Sequence, residues 1–436
     1  VDDLRRIAFL MERRREATYR VRAFRRAADV LAEIPVDSLQ RRVELGTLRQ
    51  LPGIGEKTAA VVAQSLAGQL PDYLVDLEQG AGDPVNGEGA VLPGSDGPTP
   101  AGVALRHALR GDCHTHSTWS DGGSPIREMA LAARDLGHSY LVLTDHSPRL
   151  TVANGLTAER LRAQLVEVAL LNEELAPFRI LTGIEVDILE DGGLDQEDEL
   201  LAQLDLVVAS VHSKLRMPRA PMTERMLAAI RNPHTNVLGH CTGRMVTGTR
   251  ARPESEFDPD VIFPACREAG VAVEINSRPE RLDPPKRLLR QAVEAGCVFS
   301  IDSDAHAPGQ LDWLPYGCER AVACGVPTSR VVNTRDADKL LAWAARGSSG
   351  PASGPRRSPA GSTPGTRSRT GPRTTRRTRT SGCCWPATRT GWPPAPGSPS
   401  TRTGTWRWSP GWCPARYGTP TTPGTTASPD RAWCSG

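Results

Sequence analysis

Between Arg110 and Ser303, short runs rich in β-branched residues alternate with helical stretches, and nearly every run ends on a histidine or a carboxylate. Such alternation predicts parallel strands joined by crossover helices, an α/β fold. Seven strands are expected: Arg110 to Cys113, Tyr140 to Thr144, Arg179 to Val186, Leu206 to Val211, Asn236 to Gly239, Val271 to Ser277 and Val298 to Ser303. Strand one runs into His114-Thr115-His116, strand two into Asp145-His146, and strand three carries Glu185. Strand four ends at His212, strand five at His240 and strand seven at Asp304-Ala305-His306. In a barrel of parallel strands these C-terminal ends converge on one face, where such barrels keep their active sites. Six of the nine histidines would meet there.

A lone histidine at a strand end is usually a packed residue. Six of them, repeatedly at the same structural position with Asp121, Glu185 and Asp304, are costly to bury unless cations neutralise and coordinate them. Imidazoles and carboxylates suit Zn, Mn or Fe, and the six cysteines of the body (Cys113, Cys241, Cys266, Cys297, Cys318, Cys324) show no C-x-x-C spacing for a structural zinc site or disulfide framework. They are expected to be small buried hydrophobes. His114 and His116 alternate by two on an extended segment and can share an ion. The candidate ligands are therefore His114, His116, Asp121, His146, Glu185, His212, His240, Asp304 and His306, too many for one ion. Two or three divalent ions are expected, with a carboxylate such as Glu185 bridging. Two ions about 3.5–4 Å apart can hold a substrate oxygen, lower the pKa of a bridging water and stabilise a leaving oxygen. Anionic substrate oxygens not held by metal would need cations, and Lys214, Arg216, Arg244, Arg278 and Arg281 lie just beyond these strands. Arg244 and Arg281 are the preferred pair; with Glu185 and Asp145 they form the candidate catalytic set, Asp145 and Asn276 orienting ligands or water. His107, His138 and His234 fall outside the pattern and are expected to be structural or exposed.

Residues 1–78 read as helices, with a first apolar stripe at Leu4, Ile7, Leu10 and Met11 and a second at Tyr19, Ala23, Phe24, Ala27, Val30 and Leu31, ended by Pro35. Nine arginines against Glu12 and Glu16 between Arg5 and Arg26 make the outer faces positive, as a phosphate-bearing partner requires. The segment Leu51-Pro52-Gly53-Ile54-Gly55-Glu56-Lys57 looks like the turn of a helix-hairpin-helix motif. Gly53 and Gly55 would let the backbone approach a phosphate, the helix beginning near Glu56 would offer free N–H groups, and Lys57 would add charge. Gly53, Gly55, Lys57, Arg22 and Arg25 are the candidate DNA-binding residues.

Charge divides the chain. From Pro351 onward there are 13 Arg, no Lys and one acid, so this segment holds +12, which leaves −9 for the first 350 residues out of an overall +3. It contains no Leu, Ile, Val, Met or Phe and could not offset the entropy of ordering. Residues 347–436 are expected to be a disordered basic tail, with out-of-frame translation of a high-GC gene the favoured origin. The expected layout is a helix-hairpin-helix domain over 1–78, a Gly/Pro-rich linker over 79–104 and a metal-binding α/β domain over 105–346. No apolar run approaches the roughly 18 residues of a membrane span, and no apolar segment follows the N-terminal charges. A cytoplasmic protein without membrane association is expected.

Residues 111 to about 343 resemble the PHP (polymerase and histidinol phosphatase) domain. The motifs are His114-Thr115-His116 with Asp121-Gly122, Thr144-Asp145-His146, Gly183-Ile184-Glu185-Val186, Ser210-Val211-His212-Ser213, Leu238-Gly239-His240, Glu274-Ile275-Asn276 and Ser303-Asp304-Ala305-His306. The resemblance implies a distorted (β/α)7 barrel with a three-metal cluster at its mouth, held by the nine residues named above, Asp121 filling a place that is His in some members. Tyr19 to Ala28 and the hairpin resemble the N-terminal domain of bacterial family X DNA polymerases, which grips DNA ends and gaps through phosphates without reading sequence. The position of that family's lyase lysine is Val61, so lyase activity is not expected, and no polymerase palm follows. The combination implies a phosphoesterase on DNA ends, as a 3′–5′ exonuclease, a 3′-phosphatase or both. The alternatives are a small-molecule phosphatase of histidinol-phosphatase type and a non-catalytic DNA-binding adaptor.

Overall fold

The computed structural model describes residues 1–79, 98–247 and 251–347. The expectation for the tail beyond Gly347 and most of the linker reading therefore lies outside the described residues. Five helices form the N-terminal region: α1 (Asp2–Arg13), α2 (Thr18–Ala32), α3 (Val36–Glu44), α4 (Glu56–Leu66) and α5 (Asp72–Gln79). The first predicted stripe and part of the second form its core: Leu4, Ile7, Leu10 and Met11 of α1 meet Phe24, Ala27 and Leu31 of α2, joined by Val21, which the stripe did not include, with Val61 of α4 and Leu74 of α5. Tyr19, at 76% exposed in the first turn of α2, and Ala23 lie outside the packed face, and Val30 is half-buried. Pro35 does not end α2, which stops at Ala32; it stands immediately before α3, where a residue without an N–H is tolerated.

A sixth helix, α6 (Pro100–Ala108), begins inside the stretch read as linker. Thr99 caps it by accepting from Gly102 N at 3.0 Å, and Glu319 accepts from Thr99 N and Oγ1 at 2.7 and 2.8 Å. Small residues and a proline at the first helical position hid this helix in a Gly/Pro-rich context.

The seven expected strands are present as β1 (Gly111–Thr115), β2 (Tyr140–Leu143), β3 (Arg179–Asp187), β4 (Leu206–Ser210), β5 (Val237–Leu238), β6 (Ala272–Asn276) and β7 (Phe299–Asp302). They pair in sequence order and all in parallel, with helices between them. Period-two alternation divides each strand. Ile184, Val186, Val207, Ala209, Val273 and Ile275 pack against helical residues such as Met222, Phe263 and Leu289. The opposite parity starts apolar, at Leu181, Val208 and Ala272, and turns polar toward the C-terminal ends, at Glu185, His212, Glu274 and Asp304.

The barrel closes without a β1–β7 ladder. The seam holds a bridge between Thr115 and Ala305, a bond from His116 N to Ala305 O at 2.8 Å, and side-chain bonds. Asp302 Oδ1 accepts from Cys113 N at 2.9 Å, Asp112 Oδ2 accepts from Ser303 N at 3.2 Å, and Asn333 Nδ2 donates to Gly111 O at 3.0 Å and Ile301 O at 2.7 Å. Burial pushes both carboxyls up, Asp112 to about 6. The result is a nearly closed, distorted (β/α)7 barrel. All six cysteines of the body are buried and free, and no helix among the described residues is long and apolar enough to cross a membrane.

The helical region docks on the barrel through the 3-10 turn Pro308–Trp313, which follows His306. Gly309 N donates to Glu12 Oε2 at 2.9 Å, and Trp313 Nε1 to Arg13 O at 2.9 Å. A Cβ on Gly309 would lie 2.0 Å from Phe9 O. Gly309→Ala is therefore expected to cost about 1–3 kcal/mol by overpacking, read as a lower urea midpoint than wild type. An unshifted midpoint would contradict this docking.

His138 is buried, with neither ring nitrogen hydrogen-bonded, and burial with nearby Arg106 lowers its pKa to about 3. The folded protein keeps it neutral while the unfolded chain protonates it near 6.5. Its contribution is thus fully present above pH 6.5 and is lost as pH falls toward 3, at about 1.4 kcal/mol per pH unit. His138→Leu is expected to flatten that part of the stability–pH curve; an unchanged slope would refute it.

Candidate metal centre

The nine predicted ligands come together at the mouth of the barrel, where the strand ends place them. Their donor atoms form four overlapping groups, each within 4.8 Å: His116, Asp121, His146 and His306; His114, Glu185 and His240; His114, His116 and Asp304; His146, Glu185 and His212. Glu185 lies at the hub. Its Oε1 is 2.8 Å from His240 Nε2 and 3.2 Å from His212 Nε2, and its Oε2 is 2.9 Å from His146 Nδ1 and 3.2 Å from His114 Nε2. Asp121 reaches in from the loop after β1, with Oδ1 3.3 Å from His306 Nε2 and 3.5 Å from His146 Nε2. His306 donates Nδ1–H to Asp304 O at 2.9 Å, which leaves the Nε2 lone pair facing Asp121. Asp304 is held at φ +54, a left-handed conformation uncommon for a residue with a Cβ.

The donor set fits cations. His114 Nε2, both nitrogens of His116 and of His212, His146 Nδ1 and Glu185 Oε2 are buried and lack hydrogen-bond partners. Buried polar atoms left without partners cost free energy that a shared cation would recover. The electrostatics agree. Burial opposes charge on Glu185, but the imidazoles of His114, His212 and His146 outweigh it and hold the carboxyl well below its usual range. Burial likewise opposes protonation of His212, but Glu185 and Asp187 raise it to about 9. Burial and the neighbouring His306 and His146 press His116 well down.

A second tier orients these ligands. Glu274 Oε1 lies 2.6 Å from His114 Nδ1, and Asp187 Oδ1 accepts from His212 N at 3.0 Å. Neither carboxylate was among the predicted site residues, although strand parity exposes both: Asp187 stands two beyond Glu185, and Glu274 two before Asn276. Asn276 donates to Asp304 Oδ2 at 3.2 Å. Asp145, placed in the catalytic set, instead accepts from Ser117 N and Oγ at 2.8 and 2.7 Å, from Ser120 Oγ at 2.5 Å and from Gln164 Nε2 at 2.7 Å. So saturated, it braces the loop that carries Asp121 and touches no open part of the site.

Of the preferred arginines one lies at the cluster. Arg281 Nε is 3.0 Å from Asp304 Oδ2. Arg244 is corrected: its guanidinium is used by the carbonyls of Arg281 (3.0 Å) and Leu282 and by Glu254 at 3.5 Å. It braces a loop, and its place is taken by Arg278, whose Nη1 lies 3.3 Å from His306 Nδ1 and 3.4 Å from Asp304 O. Lys214 is exposed and 3.9 Å from Glu190.

In the helical region, Gly53 adopts φ +87 and Gly55 precedes α4, with Gly55 N donating to Thr58 Oγ1 at 2.9 Å. Lys57 and Arg22 are exposed. Arg25 is corrected: it pairs with Glu12 at 2.7 and 2.9 Å and with Glu128 at 3.4 Å, so it ties α2 to α1 and to the barrel. Arg26 lies at the hairpin instead, its Nε 3.0 Å from where a Gly53 Cβ would stand.

An α/β barrel with a histidine–carboxylate cluster at its mouth and a helical hairpin domain docked beside it defines the class. Residues 1–69 match the helix-hairpin-helix domain model and residues 112–277 the PHP domain model. The two matches follow one another along the chain, and Asp304 and His306 lie beyond the second. The DNA polymerase/3′-5′ exonuclease PolX of Bacillus subtilis is 42% identical over 238 residues, 55% of this chain and 41% of that protein. This chain thus covers less than half the length of that relative. A protein named as a phosphatase from Thermoanaerobacter sp. (strain X514) is 28% identical over 51% of this chain and 89% of its own length. The solved structure of histidinol phosphate phosphatase from Lactococcus lactis, complexed with zinc, L-histidinol and phosphate, shares 19% identity at TM-score 0.37, covering 50% of this chain and 92% of that one.

Proposed function

We propose that this chain is a metal-dependent phosphoester hydrolase that acts on DNA ends, as a 3′–5′ exonuclease, a 3′-phosphatase or both. The observation that carries the hydrolase reading is the convergence of nine ligating side chains, with partnerless buried nitrogens, around Glu185. His114, His116, Asp121, His146, Glu185, His212, His240, Asp304 and His306 would hold two or three divalent ions, Zn, Mn or Fe. Such ions supply Lewis acidity and a water acidic enough to attack phosphorus near neutral pH. Glu185, shared by two ligand groups, sets their spacing, and Glu274 fixes the orientation of the His114 ring. Arg281 and Arg278, both beside Asp304, would bind phosphate oxygens.

DNA as the substrate is supported by the exposed Gly53–Lys57 hairpin on a domain docked against the same barrel, and by the exonuclease name of the B. subtilis relative. The hairpin would bind backbone phosphates near ends or gaps without sequence specificity. The deciding experiment supplies the purified protein with Mn²⁺ or Zn²⁺ and compares labelled DNA bearing a 3′-hydroxyl, a 3′-phosphate or an abasic site, single-stranded DNA, and histidinol phosphate. Shortening or dephosphorylation of 3′ ends is expected. Intact DNA ends with efficient cleavage of histidinol phosphate would replace this reading with the small-molecule phosphatase, and DNA binding without any turnover with the adaptor.

A further inference from the structure

The N-terminal helices reach the metal centre by a route that gripping DNA does not require. Arg15, between α1 and α2, adopts φ +56, a left-handed conformation uncommon for a residue with a Cβ. Its Nη1 lies 3.5 Å from Glu280 Oε1 on the barrel. The other oxygen of Glu280 lies 3.6 Å from Arg278 Nε. Arg278 in turn sets Nη1 3.4 Å from Asp304 O and 3.8 Å from Asp304 Oδ1. Its guanidinium also covers Trp313, with Cζ 5.9 Å from a ring centroid, and Trp313 donates Nε1–H to Arg13 O. Both supports of Arg278, the carboxylate at its Nε and the ring beneath it, are thus held by Arg13 and Arg15 of the N-terminal region.

The arrangement is soft. Arg278 Nε and Glu280 Oε2 are buried but share no hydrogen bond, so ionic proximity alone holds them. A long arginine side chain has many rotamers to lose on ordering. Side chains of Arg15, Glu280 and Arg278 are 25%, 18% and 22% exposed, so solvent screens their attraction only in part. Freed from Glu280, Arg278 can close on Asp304 Oδ1, competing with the very ligand it should leave open.

We propose that Arg15, acting through Glu280 together with Trp313, is a positioning residue for Arg278, so that the N-terminal domain completes the phosphate-binding side of the metal centre. This inference rests on the phosphoesterase reading above. Its consequence is that hydrolysis of even a small ester depends on a residue of the DNA-gripping domain.

The test is a double-mutant cycle in the full chain loaded with Mn²⁺, comparing wild type, R15A, R15K, R278A and R15A/R278A. Two quantities are read: the affinity for inorganic phosphate by calorimetry, and kcat and KM for p-nitrophenyl phosphate, which is too small to reach the hairpin. R278A is expected to weaken phosphate binding about tenfold and R15A about three- to fivefold, with R15K recovering most of the loss. The double variant should be no weaker than R278A alone. Losses that multiply, or R15A with unchanged phosphate affinity, would overturn the proposal. Should R15A not fold, Trp313→Phe, which keeps the ring and removes its N–H, takes its place in the cycle. No phosphate binding by the metal-loaded wild type would overturn both readings. Binding without ester turnover would remove the hydrolytic reading alone, while the phosphate cycle still upholds or overturns the positioning.

Discussion

Glu185→Gln is expected to lower phosphoester turnover at least about 10³-fold, roughly 4 kcal/mol of barrier, while leaving DNA binding intact. The side chain is 1% exposed and its two oxygens face four imidazoles within 3.2 Å. Gln keeps the volume but removes the charge and turns one acceptor into an N–H donor among groups that need to be lone-pair donors. Two of the four ligand groups lose a carboxylate at once, so bound metal per chain should fall as well. Metal analysis and steady-state kinetics check both effects. A Glu185→Gln protein with full metal content and full turnover would show that the hub carboxylate is a bystander.

Chelation is expected to have the largest effect on stability. A ligand present at about 1,000 times its Kd stabilises the folded state by about 4 kcal/mol per independent site, and chelation removes that contribution. The metal-free protein is left with partnerless nitrogens on His114, His116, His146 and His212. Metal uptake should also release protons, because Glu185 and Asp187 hold the His212 proton up to about 9. Calorimetry near pH 8 in buffers of different ionisation enthalpy measures that release, and thermal unfolding with and without chelator measures the stability. A melting curve unmoved by chelator and metal would remove the metal reading.

Much of this site is legible in the chain because its signals are local. Strand ends and period-two alternation bring His114, His116, Glu185, His212 and Asp304 to one mouth without knowledge of any helix packing. The arginines are different. Arg244 and Arg278 each follow a ligand-bearing or neighbouring strand by a few residues, but Arg244 turns to the carbonyls of Arg281 and Leu282 and Arg278 to Asp304, Glu280 and the Trp313 ring. Arg25 is captured by Glu128, 103 residues away, and Asp145 by a local net of serine donors. Long-range pairing and loop direction leave no periodic trace, whereas Glu274 and Asp187 obey the strand alternation.

The seam between β1 and β7 bears on what the cluster does for the fold. His114 and His116 stand on one side of that seam, Asp304 and His306 on the other, and both sides contribute donors to the same ligand groups. A cation shared between them is a clasp across the one edge where the sheet lacks a ladder. Loading the site would then also latch the barrel, and amides along the seam, Cys113 and His116 among them, should exchange faster with solvent once the clasp is undone.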